Sequence, residues 1–304
     1  MSPSGSLPSR LRLTLELLRP RQWVKNLFVL APLIFSHELF HAGPTIAALL
    51  GFAGFCLAAS TGYIVNDIVD RDADRVHPVK RNRPLASGAI SPGAALGTML
   101  VTVTGAALIA FSLPAAYAVA LGLYLAMNLA YSFALKHVVL LDVFIIAAGF
   151  MLRVLSGAFA IGVAVSSWIV LCTLFISLFL GFAKRRGEIV LMQQSGGSSE
   201  RKVLDVYSIE FIDQMLTITG AGAVIAYALY TVAPRTIQVF GTENMIYTTI
   251  FVLYGIFRYL HLIHTSPAAD NPTATVTSDP AIITVVLLWI TACILLIYTA
   301  PSLV

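Results

Sequence analysis

Charge is scarce in this chain. Only 11% of its 304 residues are Asp, Glu, Lys or Arg, against about 25% in soluble globular domains. Hydrophobic residues make up 58% and the mean hydropathy is +0.86. A single water-facing domain cannot hide that much apolar surface, so the composition excludes a soluble protein and points to lipid as the solvent. Cysteine is rare as well. Cys56, Cys172 and Cys293 all fall in apolar stretches and are odd in number, which gives no disulfide framework. His261 and His264 have no cysteine or third histidine beside them, which argues against zinc. No Walker loop, nucleophile elbow or dinucleotide fingerprint is present. The net charge of +4 and isoelectric point near 9.0 therefore read as the basic loops of a membrane protein, with no nucleic acid as partner.

What is present is a series of apolar stretches long enough to cross a bilayer, which needs about 20 residues each. The sequence predicts an all-α polytopic protein with nine spans. These are Asn26–Phe40, Thr45–Val65, Pro92–Ser112, Pro114–Phe133, Val138–Ile161, Ser166–Ala183, Phe211–Val232, Asn244–Ile263 and Ala281–Ala300. Ser91 and Pro92 make a serine cap with proline at the first helical position. The first stretch is short and broken by Pro32, and no cleavage signature follows it, so no removable signal peptide is expected.

Lysine and arginine gather on one side of this alternation. Arg10, Arg12, Arg19, Arg21 and Lys25 precede the first span; Arg71, Arg75, Lys80, Arg81 and Arg83 follow the second. Lys136 follows the fourth, and Lys184, Arg185, Arg186, Arg201 and Lys202 follow the sixth, while the opposite loops show only Arg235. The asymmetry predicts a bacterial-type plasma membrane protein with its N-terminus and long loops in the cytoplasm and its C-terminus outside. Residues 1–25 read as a cytosolic segment and 26–304 as one transmembrane catalytic domain, with polar loops at 66–90 and 184–210. The loops lie four spans apart, a hint of two four-helix units. The segment Ser266–Asp279 reads as a plain connection.

The first loop carries the chemistry. Asn66, Asp67, Asp70 and Asp74 fall within one arc of about 100° on a helix, and Asp72 faces away. Carboxylates on one stripe repel one another unless a cation holds them, and hard oxygen ligands suit Mg2+. The bland alternative is a solvated acidic helix end balanced by Arg71 and Arg75. Lys80, Arg81 and Arg83 follow, groups able to bind phosphate or simply to fix orientation. Trp23 and Lys25 share that ambiguity. Asp142 and Arg153 share a face of the fifth span roughly 16 Å apart. Arg153 then serves either helix packing or a substrate cavity, because an arginine at that depth needs a partner.

The run Asn66-Asp67-x-x-Asp70-x-x-x-Asp74, with Arg83-Pro84-Leu85 and Ser87-Gly88-Ala89-Ile90-Ser91, resembles the signature of the UbiA prenyltransferase superfamily. That resemblance implies a nine-helix membrane enzyme with a Mg2+-dependent cytosolic site under a lateral opening to lipid. Three further stretches resemble its decaprenyl-phosphate phosphoribosyltransferase branch: Arg19 to Asn26, Ala130-Tyr131-Ser132 with Leu135-Lys136-His137, and Ala183-Lys184-Arg185. The branch implies transfer of phosphoribose from phosphoribosyl pyrophosphate to a polyprenyl phosphate, for lipid-linked arabinose and cell-envelope synthesis. Prenyl-diphosphate users carry a second acidic motif in the second loop. Here Lys184-Arg185-Arg186 stands instead, with Glu210 and Asp213 as a degenerate remnant.

The resulting expectation is a metal site of Asn66, Asp67, Asp70 and Asp74. Asp67, Asp70, Lys184 and Arg185 are expected to be catalytic. Lys25, Asn26, Asn66, Lys80, Arg81, Arg83, Tyr131, Lys136, Arg153 and Tyr207 are expected to hold the substrates. Two other readings remain: a prenyltransferase acting on an aromatic acceptor, and a lipid-phosphate transporter. A transporter would place polar residues and broken helices at mid-membrane, whereas here the charge sits in the loops.

Overall fold

The computed structural model describes residues 9–76, 80–133, 135–195, 202–265 and 272–299; parts of both polar loops, including Arg201, lie outside them. The chain begins with α1 (Ser9–Leu18), a 3-10 segment (Pro20–Leu30) and the short α2 (Ala31–Phe35). Then come α3 (Ala42–Val69), α4 (Arg71–Val76), α5 (Pro92–Ser112), α6 (Ala115–Phe133) and α7 (Leu141–Ile161). The second half holds α8 (Ser167–Ser195), α9 (Ile209–Val232), α10 (Pro234–Phe240), α11 (Thr249–Thr265), α12 (Pro272–Ser278) and α13 (Pro280–Thr299). Among the described residues, eight helices are long and apolar enough to cross a membrane. The protein is a multi-pass membrane protein.

The first expected span differs from the rest. Pro20 opens a 3-10 run and Pro32 sits in the first turn of a new helix, so the stretch is not one regular helix. It is nonetheless packed into the bundle. A Cβ on Gly157 of α7 would lie 1.9 Å from the carbonyl oxygen of Val29, so only glycine lets the two backbones meet there. Trp23 donates to Ser60 on α3, and Ser60 donates to the carbonyl of Leu18.

Two core clusters divide the helices. Val29, Phe55, Ala106, Tyr117, Leu121 and Tyr124 knit α3, α5, α6 and α7 around the 3-10 segment. Phe179, Phe182, Ile212, Leu216, Ile256 and Ile282 knit α8, α9, α11 and α13. The Ser91 cap forms as expected, accepting from the Ala94 amide at 3.2 Å.

Two expected loops are corrected. Residues 184–195 continue α8 rather than opening a loop, because Arg185 and Ile189 point inward and are buried. Glu188 also pairs along the helix with Lys184 and Arg185, four and three residues away. The segment before α13 is not plain either. Pro272 starts α12, and Asp279 accepts from the Ile282 amide at 2.9 Å, capping α13.

Candidate active site

The acidic stripe sits where α3 ends. Asp70 is the C-terminal cap of α3, yet its amide still reaches the Asn66 carbonyl at 2.9 Å, and that of Asp74 reaches Asp70 at 2.8 Å. The helical register thus survives the junction, and Asp67 and Asp74 are both 3% exposed at the side chain. Asp72 is 89% exposed and pairs only with Arg75, at 3.3 Å.

Four cations from three separate segments close on these carboxylates. Arg19 donates through Nη2 to Asp67 Oδ1 at 2.5 Å. Arg83 Nη1 donates to the same oxygen at 3.2 Å and to Asp74 Oδ2 at 2.6 Å. Lys80 stands 4.0 Å from Asp74, and Lys136 stands 3.6 Å from Asp70. Arg81 is exposed.

Arg19 is the partner that the reading of the sequence left out of the site. Its backbone is left-handed, φ 53 and ψ 57. The signal was there in Pro20, since a residue before proline is disfavoured in a helix. α1 breaks at that residue and aims the side chain across Tyr63, 5.1 Å from the ring centre, toward Asp67.

A second polar centre is buried behind the first. Arg185 is fully buried on α8, 2.7 Å from the equally buried Asp142 of α7 and paired with Glu188. It also donates to Tyr131 Oη at 3.1 Å. Tyr207 donates to Asp142 at 2.8 Å and accepts from the Leu140 amide at 2.6 Å. Burial pushes the Tyr207 phenol up to about 12, so it stays protonated as a donor. Asp142 and Tyr131 lie too far from Arg185 in sequence for this network to be read from spacing, whereas Glu188 lies on the next turn of the same helix.

Arg153 and Asn26 are held by each other. Arg153 donates to Asn26 Oδ1 at 2.8 Å, to the Gly149 carbonyl at 2.9 Å and to Tyr124 Oη at 2.8 Å, the packing arrangement. Asp213 accepts from Arg186 at 2.7 Å, while Glu210 is exposed on the first turn of α9. These two acids do not converge with the first stripe.

Lys25 stands apart because no carboxylate meets it among the described residues. Burial, and the charges of Lys184, Arg153 and Arg19, lower its pKa to about 7. Below the stripe, an apolar hollow of 220 Å³ opens between α3, α5 and α6, lined by Gly62, Val65, Met99 and Leu129 among others.

The donor set fits a hard divalent ion. Carboxylate oxygens of Asp67 and Asp74 already converge on one cationic atom, Nη1 of Arg83. No three acids, histidines or cysteines among the described residues close on one point. Mg2+ usually keeps several waters and shares phosphate oxygens, so two converging carboxylates would leave room for both.

The site is a carboxylate stripe ringed by cations at one end of a lipid-spanning bundle. The chain belongs to the UbiA prenyltransferase family, whose sequence model matches residues 28–277. It is 33% identical over 299 residues to the decaprenyl-phosphate phosphoribosyltransferase of Corynebacterium glutamicum, covering 94% of this chain and 87% of the relative. It is 35% identical over 220 residues to the enzyme of that name from Mycolicibacterium smegmatis, covering 71% and 69%. In fold it is similar to a UbiA homolog from Archaeoglobus fulgidus bound to DMAPP and Mg2+. There the TM-score is 0.71 at 19% identity, over 94% of this chain and 99% of the other.

Proposed function

We propose that this protein transfers 5-phosphoribose from phosphoribosyl pyrophosphate to a polyprenyl phosphate of decaprenyl type, with Mg2+, at the cytoplasmic face of the plasma membrane. The observation that carries this reading is the likeness, over 94% of the chain, to a decaprenyl-phosphate phosphoribosyltransferase. The site's charge supports it. A sugar phosphate, its pyrophosphate and a lipid phosphate bring three anionic groups, and Lys25, Lys184 and the arginines supply matching cations. The side of the membrane rests on the basic loops, which share the site's end of the bundle.

In this mechanism an oxygen of the lipid phosphate attacks the anomeric carbon, and pyrophosphate leaves with the bonding electrons. The attacking group is already an anion, so it needs positioning rather than a general base. Lys25 and Lys184 hold anionic groups so that donor and acceptor do not repel one another. Asn66, Asp67, Asp70 and Asp74 would hold Mg2+, which supplies charge neutralisation to the departing pyrophosphate.

The test is purified protein with Mg2+, labelled phosphoribosyl pyrophosphate and a polyprenyl phosphate. A lipid-soluble phosphoribosyl product is expected. A polyprenyl diphosphate offered with 4-hydroxybenzoate should yield nothing; prenylated aromatic product there, with no ribosylated lipid, would overturn the assignment.

Lys25 gives this reading a pH signature. With a pKa of about 7 in the free protein, Lys25 is charged below that pH and loses its proton above it, while a bound phosphate favours the charged form. Donor affinity should therefore weaken as pH rises from 7 to 9. Lys25→Arg, which stays charged, should flatten that slope. Lys25→Gln, which has no charge to lose, should flatten it too and weaken binding most below pH 7, by about 1.5–3 kcal/mol, the range for a charge-assisted bond. An unchanged slope in both variants, measured by calorimetry without acceptor, would remove Lys25 from the donor site.

A further inference from the structure

Arg83 commits Nη1 to Asp67 and Asp74, so it cannot turn fully to a substrate phosphate while it bridges them, and those carboxylates cannot give the same oxygens to a metal while arginines hold them. Both assignments follow from the proposed function, and the contacts set them against each other. We propose that Arg19 and Arg83 are resident counter-ions of the acidic stripe, exchanged when donor and metal arrive together: the carboxylates pass to the metal and the freed guanidinium groups turn to the donor's phosphates. This rests on the proposed reading of the site and adds to it an order of events and a coupling.

Three observations carry it. First, Arg19 and Arg83 converge on one oxygen, Asp67 Oδ1, at 2.5 and 3.2 Å, so a single carboxylate oxygen already meets two positive groups. Second, exposure is unequal. The Asp67 and Asp74 side chains are 3% exposed, whereas those of Arg19 and Arg83 are 24% and 28% exposed. The acids are fixed in the helix junction and the arginines approach from the open side, where long side chains can turn. Third, Asp67, Asp70 and Asp74 already face Arg19, Arg83, Lys80 and Lys136, three anions against four cations. A divalent cation alone would add charge to an end that is already positive. Entering with a pyrophosphate, it brings its own compensation, and the arginines gain bidentate partners as they release the acids. Metal and donor then each raise the other's affinity by one shared coupling free energy.

The test reads metal and donor binding without turnover. The spin signal of Mn2+, standing in for Mg2+, is titrated against protein in nanodiscs, with and without phosphoribosyl pyrophosphate and with no lipid acceptor. In the wild type, Mn2+ should bind weakly alone and about tenfold or more tightly with donor, within the usual range for coupled sites. Arg83→Gln and Arg19→Gln should move the two affinities in opposite directions. Mn2+ alone should bind about fivefold more tightly, while donor binds about tenfold more weakly and the coupling shrinks. A merely structural arginine would lower both or neither. Thermal unfolding checks that each variant is folded, and Arg83→Lys, which keeps the charge without the fork, should fall between. Mn2+ binding unchanged or weaker in folded variants, with the wild type retaining Mn2+ and donor, would overturn the exchange alone. A wild type that retains no Mn2+ even with donor would overturn the metal-site reading, and the exchange with it.

Discussion

Asp67→Asn and Asp70→Asn should each lower turnover by about 10²–10³-fold, the scale of losing one electrostatic contributor to a reacting centre. Asp72→Asn should retain nearly all activity. The contrast follows from the junction between α3 and α4, where the helical register is kept through the Asp70 cap. Asp67 lies 3% exposed among arginines, while Asp72, five positions on, is 89% exposed. Its pairing with Arg75 is a surface contact of the kind that contributes about 0–1 kcal/mol. Steady-state kinetics on the three variants, with retained Mn2+ measured alongside, checks both halves. Equal losses at all three positions would mean that the stripe does not gather the chemistry.

Removing Arg185 should unfold the protein before it informs on catalysis. Arg185 and Asp142 both have side chains with 0% exposure, in an ion pair at 2.7 Å. Deleting one partner strands the other charge among apolar helices, a loss of about 3–5 kcal/mol. Arg185→Ala should therefore lower the detergent melting temperature sharply, and Asp142→Asn should lower it less because an amide keeps hydrogen-bonding capacity. Arg185→Met combined with Asp142→Leu should recover much of the stability by replacing the pair with packed apolar groups. Lys184→Ala is the control one residue away. Its side chain is 42% exposed, so the variant should stay folded and lose substrate affinity instead. Matching melting curves for Arg185→Ala and wild type would return Arg185 to the residues expected to be catalytic.

Local periodicity was enough to read the spans and the acidic stripe, because both depend on residues within a few turns of one helix. Asn66, Asp67, Asp70 and Asp74 could be placed on one face from spacing alone, and Asp72 off it. The extension of α8 was hidden by composition. Lys184, Arg185 and Arg186 look like the start of a loop, and only tertiary packing shows that Arg185 and Ile189 are buried on a continuing helix. The partners of the basic residues were not legible for a related reason. Arg19 meets Asp67 and Arg185 meets Asp142 across more than forty positions, where no sequence interval carries the information. Asn26 and Arg153 show the cost of this. Each is a polar residue in an apolar setting and reads as a substrate ligand, yet they bond to one another across 127 positions.

The continuity of α8 has a mechanical consequence. At 29 residues the helix is about 43 Å long, whereas the hydrocarbon core of a bilayer is about 30 Å thick. Lys184 lies about 26 Å along the helix from Ser167, near the edge of the apolar layer on the same rigid rod that is anchored within it, with no hinge between. The depth of Lys184 relative to the acyl chains is then set by hydrophobic matching between rod and bilayer, through tilt or local thinning. A polyprenyl phosphate floats with its headgroup at a depth fixed by the same bilayer. Membrane thickness thereby becomes a geometric parameter of the site, aligning or offsetting Lys184 and the phosphate of the proposed acceptor.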